Sequence, residues 1–512
     1  MILYLWCNKM TQPSEGSQGT ELLDVQALGD CAKLRGVLDK AEYYEGQLAN
    51  VADLDRPGVP LDITRGMLMT EADTPFNTLV RLFVLGQAVP EEKLRRNLAP
   101  ADMEPLVKSR LLQAADGGWK AVARLLPFER FWLLSDFDSD ITGRSTPADQ
   151  VMAVSLSSVL LTQMTVRRQE EKVLDLGTGN GIQGLSCTGH AKQIVGTDTN
   201  LRALNFARFN AQLNGISFME MRPGSLFDPI GDETFDLLVA NPPFAISPGR
   251  KLVYRDSNMP GDSLCEHVVR NTGKHLNDDG FAVIMFDWHH PTPEDWAVRP
   301  LQWAEGTGCD AWLMRFYSRD PVTYATEWLG TMLSEAPEEY QRQVASWLKY
   351  YNELGIGALS RGVIVLHKRQ ADKNWFRSDT HQLNHQAGSC SGQIQRIFAC
   401  YDLLTSLANP LDLLNHVLRL APGHQLQQIM EMEGGRWHVR RATLRQTQGF
   451  EFIGNIDQFV SKILAGCDGT RPLGQLIQSL AQELNAPVDR LAPPAVELMR
   501  TLMEKAYFEV VS

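Results

Sequence analysis

Through the middle of the chain, short apolar runs closed by glycine or proline alternate with stretches of helical spacing. The runs at 172–176, 193–197, 218–222, 235–240 and 281–286 read as strands, and 182 onward, 200–213 and 263–276 read as helices. Two further strands are predicted at 311–317 and 362–367, with a helical insertion from about 321 to 353 between them. The flanks have a different rhythm. Residues 22–50 are apolar at helical spacing, a proline-rich break follows at 56–60, and three helices are expected at 75–85, from Pro90, and at 101–112. Asp116-Gly117-Gly118 then turns a hairpin into a strand at 119–126, with another strand at 131–134. After an acidic linker at 136–145, Thr146 to Asp149 caps a helix predicted over 151–164. Beyond 371 the pattern predicts a helix at 402–420, a strand from Arg436 to Arg445, and a small helical unit made of 456–464, 473–484 and 494–507.

Three stretches in the middle region carry chemistry. The first run ends in Asp175-Leu176-Gly177-Thr178-Gly179-Asn180-Gly181, a strand breaking into a glycine turn that opens a helix. Glycines at alternate positions accept positive φ and let a ligand come close to the backbone, and the helix N-terminus behind them offers free N–H groups. The second run ends in Asp198, placed to accept hydrogen bonds from ribose hydroxyls. The glycine spacing is not the G-x-G-x-x-G that seats a pyrophosphate, which favours a nucleoside ligand without one. The fourth run ends in Asn241-Pro242-Pro243-Phe244. Consecutive prolines remove two donors and hold the turn extended, so the Asn241 side chain and the Pro242 carbonyl serve as acceptors beside the flat face of Phe244.

Together these motifs resemble the class I methyltransferases that use S-adenosyl-L-methionine, within the N-methylating branch whose signature is N/D-P-P-Y/F. The tetrapeptide is shared by release-factor glutamine methyltransferases and small-domain ribosomal RNA N-methyltransferases. The resemblance covers 170–290, with a tail to about 369. It implies a doubly wound, Rossmann-like α/β domain with a seven-stranded sheet, the last two strands forming an antiparallel hairpin at its edge. It also implies the site. Asp175, Gly177, Thr178, Gly179, Asn180, Gly181, Asp198, Thr199, Ser225, Leu226 and Asn241 contact the cofactor, and Asn241, Pro242, Pro243 and Phe244 position the acceptor nitrogen. Many relatives carry an acid where Ser225 stands, which shifts adenine recognition toward the Leu226 N–H. The segment with Ser155, Ser157 and Ser158 either lies over the cofactor or covers the sheet edge.

An amide or exocyclic amine attacks a sulfonium methyl poorly unless acceptors hold its N–H groups, and Asn241 with the Pro242 carbonyl can do so without a strong base. The resemblance implies that the acceptor is a nitrogen of a macromolecule, either a protein glutamine or an RNA base, with DNA adenine third. A non-catalytic regulator that binds S-adenosylmethionine is the rival from another class. In the loop 245–263, Tyr254 and Arg255 are candidate substrate contacts, Arg255 alternatively pairing with Asp256 or Asp262. Trp288-His289-His290 is read as structural, and no metal is assigned.

The expected domains are a polar leader at 1–20, with Met10 an alternative start, and a helical, winged-helix-like accessory domain at 21–145. A methyltransferase domain at 146–369, with its insertion at 321–356, precedes a C-terminal accessory domain at 370–512, partly winged-helix-like. The formal net charge of −12 argues against indiscriminate nucleic-acid binding. Within residues 1–147 acids outnumber bases, so Lys108 and Arg110 on the third helix favour packing over duplex contact. The most basic short segment, Arg436 to Arg445, is the preferred nucleic-acid contact if there is one. Eight scattered cysteines without C-x-x-C give neither a zinc site nor a disulfide framework, pointing to the reducing cytoplasm. No apolar run is long enough to span a membrane. The sequence sets no oligomeric state.

Overall fold

The computed structural model describes residues 22–51, 62–143, 146–169, 171–249, 253–256, 259–330, 332–381 and 388–511. The leader with Met10, the break at 56–60, the end of the 136–145 linker, and Arg250 and Lys251 lie outside the described residues.

Numbered in chain order, the strands of the central sheet are β1 Glu171–Leu176, β2 Ala191–Asp198, β3 Met219–Pro223, β4 Phe235–Ala240, β5 Leu276–His290, β6 Cys309–Arg319, β7 Ala358–Lys368 and β8 Phe376–Thr380. Their order is β8-β6-β7-β5-β4-β1-β2-β3. The first five run parallel, and β7 is antiparallel to both of its neighbours. Apolar runs with no polar face belong in such a sheet, since both faces are covered. β1 and β4 are buried along nearly their whole length. The expectation of seven strands is corrected to eight, because β8 adds to β6 in parallel and becomes the edge. Its sequence, Phe-Arg-Ser-Asp-Thr, has no apolar pattern to reveal it. Trp312 Nε1 donates to Asp379 at 2.7 Å and helps hold it there.

Chain order reverses direction across the sheet between β1 and β4. That is the topological switch where open α/β sheets place their ligands, beyond the strands' carboxyl ends. Register brings the motifs to this edge. Leu176 lies opposite Thr197 on one side and Ala240 on the other, so Gly177, Asp198 and Asn241 leave the sheet side by side.

Helices that bear on the site are α1 Leu156–Met164, α2 Leu201–Leu213, α3 Pro321–Leu329 and α4 Pro337–Glu353. The helix expected from 151 begins only at Leu156, with Ser155 accepting from the Ser158 N–H as its cap. Residue 151 cannot join it, because the Val151 carbonyl accepts from the Asp136 N–H and the Val151 N–H donates to the Asp136 carboxylate.

The N-terminal region shows the expected order: helices Pro75–Phe83, Glu91–Asn97 and Met103–Lys108, then the hairpin Leu112–Ala115 with Gly118–Ala121. The strand expected at 119–126 is two strands. Its second half belongs to another hairpin, Arg124–Phe128 with Phe131–Ser135. On the third helix Lys108 is paired with Glu104, and just beyond it Arg110 donates to the Leu22 carbonyl.

This region is fastened to the sheet domain by α2. Phe206, Phe209 and Leu213 share one apolar core with Trp132, Leu134 and Leu125. Asparagine side chains then stand in for strand neighbours. Asn210 accepts from the Leu134 N–H at 2.7 Å and donates to the Leu134 and Asn180 carbonyls, and Asn214 bonds both backbone groups of Trp132. Asn205 does the same for Leu23. At the start of the helix, Arg202 forms a buried ion pair with Asp136. Asn205 and Asn210 are thus junction residues, whereas Arg208 donates to the Met221 carbonyl in the middle of β3.

In the C-terminal region, the helix expected at 402–420 is the helix Ser391–Ser406, a 3-10 turn, and the strand Val417–Leu420. Ile394, Ile397 and Phe398 of that helix enter the core of the central sheet. Pro493 and Pro494 lie inside the helix Val488–Met503 rather than opening it. Among the described residues no helix is long and apolar enough to cross a membrane, and every cysteine is free and buried.

Asn210→Ala leaves three buried backbone groups without partners. The expected loss is about 2–4 kcal/mol, read as a lower melting temperature, while Arg208→Ala costs less than about 1 kcal/mol.

Candidate active site

The glycine turn is built by the carboxylate of Asp175 at the end of β1. One of its oxygens accepts from Thr178 Oγ1 at 2.7 Å and from the Gly184 N–H at 2.8 Å, tying strand, turn and following helix together. Its other oxygen is buried and has no partner. Burial is the main influence on this group and pushes its pKa up to about 6, against the two donors that lower it. Gly177, Gly179 and Gly181 all have positive φ, which only glycine adopts without strain. A Cβ added at Gly177 or Gly179 would meet nothing within 4 Å, so the space above the turn is open. At Gly181 it would press against Ala207, a packing constraint. At Gly184, inside the helix and absent from the motif reading, a Cβ would displace the flexible end of Met219 and press on Ile194 and Asp175.

Asp198 closes the other side. Its carboxylate accepts from the Gly179 N–H at 2.9 Å and the Asn200 N–H at 2.8 Å, and burial raises its pKa despite these donors. Thr199 beside it is exposed. Thr178 and Asn180, predicted to contact the cofactor, are spent on the turn itself. Thr178 bonds Asp175, and Asn180 bonds Met152 and the Ile182 N–H. Ser225 is exposed after β3, and Leu226, at φ 49°, is packed against the main core.

Across the crevice, Asn241 Nδ2 donates to Ser157 Oγ at 3.4 Å, so α1 does reach the tetrapeptide. Asn241 Oδ1 is buried without a donor. An unpaired buried acceptor costs about 1–3 kcal/mol, and this one is open to a further hydrogen bond. Phe244 has the Arg361 guanidinium 4.9 Å from its ring centre and the edge of Trp328 beside it, leaving at most one face for a substrate.

Arg361 belongs to a network that sequence reading missed. It makes a bidentate ion pair with Asp287, at 2.6 and 2.9 Å. Tyr324 of α3 donates to Asp287 at 2.6 Å and accepts from the Ile246 N–H at 3.2 Å, and Tyr351 of α4 donates to the Ile246 carbonyl at 2.7 Å. The helical insertion therefore clamps the backbone just after the tetrapeptide. Asp287 is the one acid in the otherwise apolar stretch 281–288 of β5, and that was the available signal.

The proposed loop contacts do not reach the crevice as free groups. Arg255 is paired with the buried Asp256 and lies against Trp347, Tyr254 is half-buried, and Asp262 is held by Arg299 and His289. His290 is hydrogen-bonded to Thr292 and Ser360.

The Asp175 pKa gives a test. A value raised to about 6 in the folded protein, above 3.8, means a contribution to stability that is full below the unfolded value and lost as pH rises through about 6. Asp175→Asn is expected to be more stable than the wild type by about 2 kcal/mol near pH 7.5, with most of that difference gone near pH 4.5. Calorimetric melting at the two pH values checks it.

Comparison with known proteins agrees with this geometry. Residues 154–295 match the methyltransferase small domain family, and 64–122 and 396–506 match two domains of unknown function. A release factor glutamine methyltransferase of Xylella fastidiosa is 30% identical over 166 residues, which are 30% of this chain and 59% of that one. A ribosomal protein uL3 glutamine methyltransferase of Bradyrhizobium diazoefficiens is 29% identical over 127 residues, 22% of this chain and 40% of the other. A Methanocaldococcus jannaschii protein, provisionally named a protein N5-glutamine methyltransferase, is 38% identical over 137 residues, 25% of this chain and 68% of its own. The chain spans less than two thirds of the length of the first two. With the strand order, the glycine turn and the Asn-Pro-Pro-Phe corner in place, the chain belongs to the class I methyltransferase family through its methyltransferase small domain.

Proposed function

We propose that this chain methylates the side-chain amide nitrogen of a glutamine in a protein, with S-adenosylmethionine as donor. The observation that carries this reading is the buried, donor-less Oδ1 of Asn241 at the switch-point crevice. A primary amide supplies what it lacks, an N–H beside a planar carbonyl. The names of the relatives, which act on glutamines of a release factor or a ribosomal protein, support a protein acceptor over an RNA base.

The cofactor fits the residues present. The open space over Gly177 and Gly179 takes a ligand without displacing side chains, the free oxygen of Asp175 suits an ammonium group, and Asp198 suits ribose hydroxyls. When bound, S-adenosylmethionine supplies a methyl group on a sulfonium, an electrophile that needs no acid to activate it. The chain's own part is positioning. Asn241 Oδ1 takes one amide hydrogen and orients the nitrogen, Ser157 holds the Asn241 side chain, and the prolines keep competing donors out of the corner. Phe244 covers the amide plane with the ring face that Arg361 leaves free. Tyr324 and Tyr351 fix the backbone behind it.

Purified protein with methyl-labelled S-adenosylmethionine and an extract of cells lacking the gene is expected to label protein. The label should be lost to protease, survive ribonuclease and deoxyribonuclease, and be released as methylamine by acid hydrolysis. Loss to a nuclease instead would overturn the glutamine reading. Asn241→Ala should lower turnover by about a thousandfold and leave cofactor binding intact. Tyr324→Phe removes the donor to Asp287 and is expected to lower kcat about tenfold, again with unchanged cofactor affinity by calorimetry.

A further inference from the structure

Between the N-terminal region and the start of α1, residues 148–157 cross the carboxyl ends of the strands. They meet the sheet in an order that the strand order explains. Asn200, just beyond β2, donates through Nδ2 to the Asp149 carbonyl at 2.9 Å. Asn180, in the glycine turn after β1, donates to the Met152 carbonyl at 3.2 Å, and Asn241, after β4, donates to Ser157 at 3.4 Å. Because β2, β1 and β4 are neighbours in that order, positions 149, 152 and 157 step across three adjacent strand ends. The Ala148 carbonyl accepts from the Val253 N–H at 3.1 Å, which adds the loop beyond the tetrapeptide. Residues 151–155 belong to no helix or strand, so bonds of this kind set their course.

The N-terminal region pins the same segment from the other side. Asp136 follows the hairpin strand Phe131–Ser135 and bonds Val151 twice, through its N–H at 2.9 Å and through its carboxylate at 2.8 Å. That carboxylate is also paired with Arg202, and all three residues are buried. Val154 packs on Phe131 and Leu133 of the hairpin and on Ile182 and Leu185 of the helix behind the glycine turn. The two asparagines divide their side chains between two tasks. Asn200 Oδ1 caps α2 by accepting from the Arg202 N–H, and Asn180 Oδ1 accepts from the Ile182 N–H. In each, the oxygen serves the local fold and the nitrogen holds the crossing segment.

A site binds more tightly when its groups are held in place before the ligand arrives. Asp198 and the glycine turn sit on different strands, and the Asn200 N–H is itself bonded to Asp198. One piece of chain, pinned at Val151, therefore ties the β2 end, the glycine turn and the tetrapeptide to the N-terminal region. We propose that the N-terminal region serves the cofactor: by way of residues 148–157 it holds the crevice in its binding geometry, with Asn180 and Asn200 as positioning residues. The proposal rests on S-adenosylmethionine being the ligand of the crevice and is independent of the methyl acceptor. Coupling of this kind is reciprocal, so cofactor binding in turn strengthens the contact between Asp136 and Val151.

The test separates the two ends of the Asn200 amide in the full chain. Serine at a helix cap keeps the acceptor and lacks the donor, whereas alanine lacks both. Asn200→Ser is expected to keep the melting temperature of the wild type without ligand and to bind S-adenosylmethionine about fivefold more weakly by calorimetry. Asn200→Ala should weaken binding at least as much and also melt at a lower temperature. Hydrogen exchange read by mass spectrometry should slow over residues 132–152, as well as over 177–184, when S-adenosylmethionine is added to the wild type. Wild-type affinity in Asn200→Ser, or protection confined to 177–184, would overturn the proposal and leave the cofactor reading standing. A wild-type chain that binds no S-adenosylmethionine would overturn both.

Discussion

Everything at the candidate site depends on the pairing of β1 between β2 and β4. Three parallel strands in register end together, so a glycine turn, an acid and an asparagine far apart in the chain, Gly177, Asp198 and Asn241, emerge at one crevice. The buried carboxylate of Asp175 then converts that register into a shaped turn, because its one bonded oxygen ties Thr178 and Gly184 to the strand end. Holding an ionised group there is costly, and burial accordingly raises its pKa.

The same device recurs wherever the sheet domain meets an added element. Asp136 pairs with Arg202 where the N-terminal region lies on α2, and Asp287 pairs with Arg361 where the helical insertion meets the tetrapeptide. Each carboxylate is buried and each also accepts from a second element, Val151 in one case and Tyr324 in the other. Removing one partner of a buried pair leaves a charge unpaired, so these junctions resist separation. The asparagines of α2 do the equivalent work with neutral groups.

A further consequence concerns Phe244. Read alone, an aromatic after two prolines is a free platform for a planar substrate. With Arg361 over one face and Trp328 at its edge, it is a wall of the pocket held by the insertion. The insertion thus bears on the crevice through Ile246 and Phe244, at the tetrapeptide rather than at the glycine turn.

Local chemistry made much of this legible. Gly177, Gly179 and Gly181 announce positive φ because no other residue adopts it cheaply, Asn241-Pro242-Pro243-Phe244 announces a corner, and uniform apolar runs announce parallel strands. Those properties act over a few residues, so the sequence by itself determined the strand-turn-helix core and the identity of the motifs. It did not reveal β8, whose order comes from main-chain bonds to β6, nor that the Thr178 and Asn180 side chains bond within the turn, and it left Arg255 open between a substrate contact and pairing with Asp256 or Asp262. Pairings such as Asp287 with Arg361, 74 positions apart, or Asn210 with Leu134, 76 apart, carry no local signature. Only the tertiary structure decided them, because a buried polar group takes whichever partner packing brings within reach.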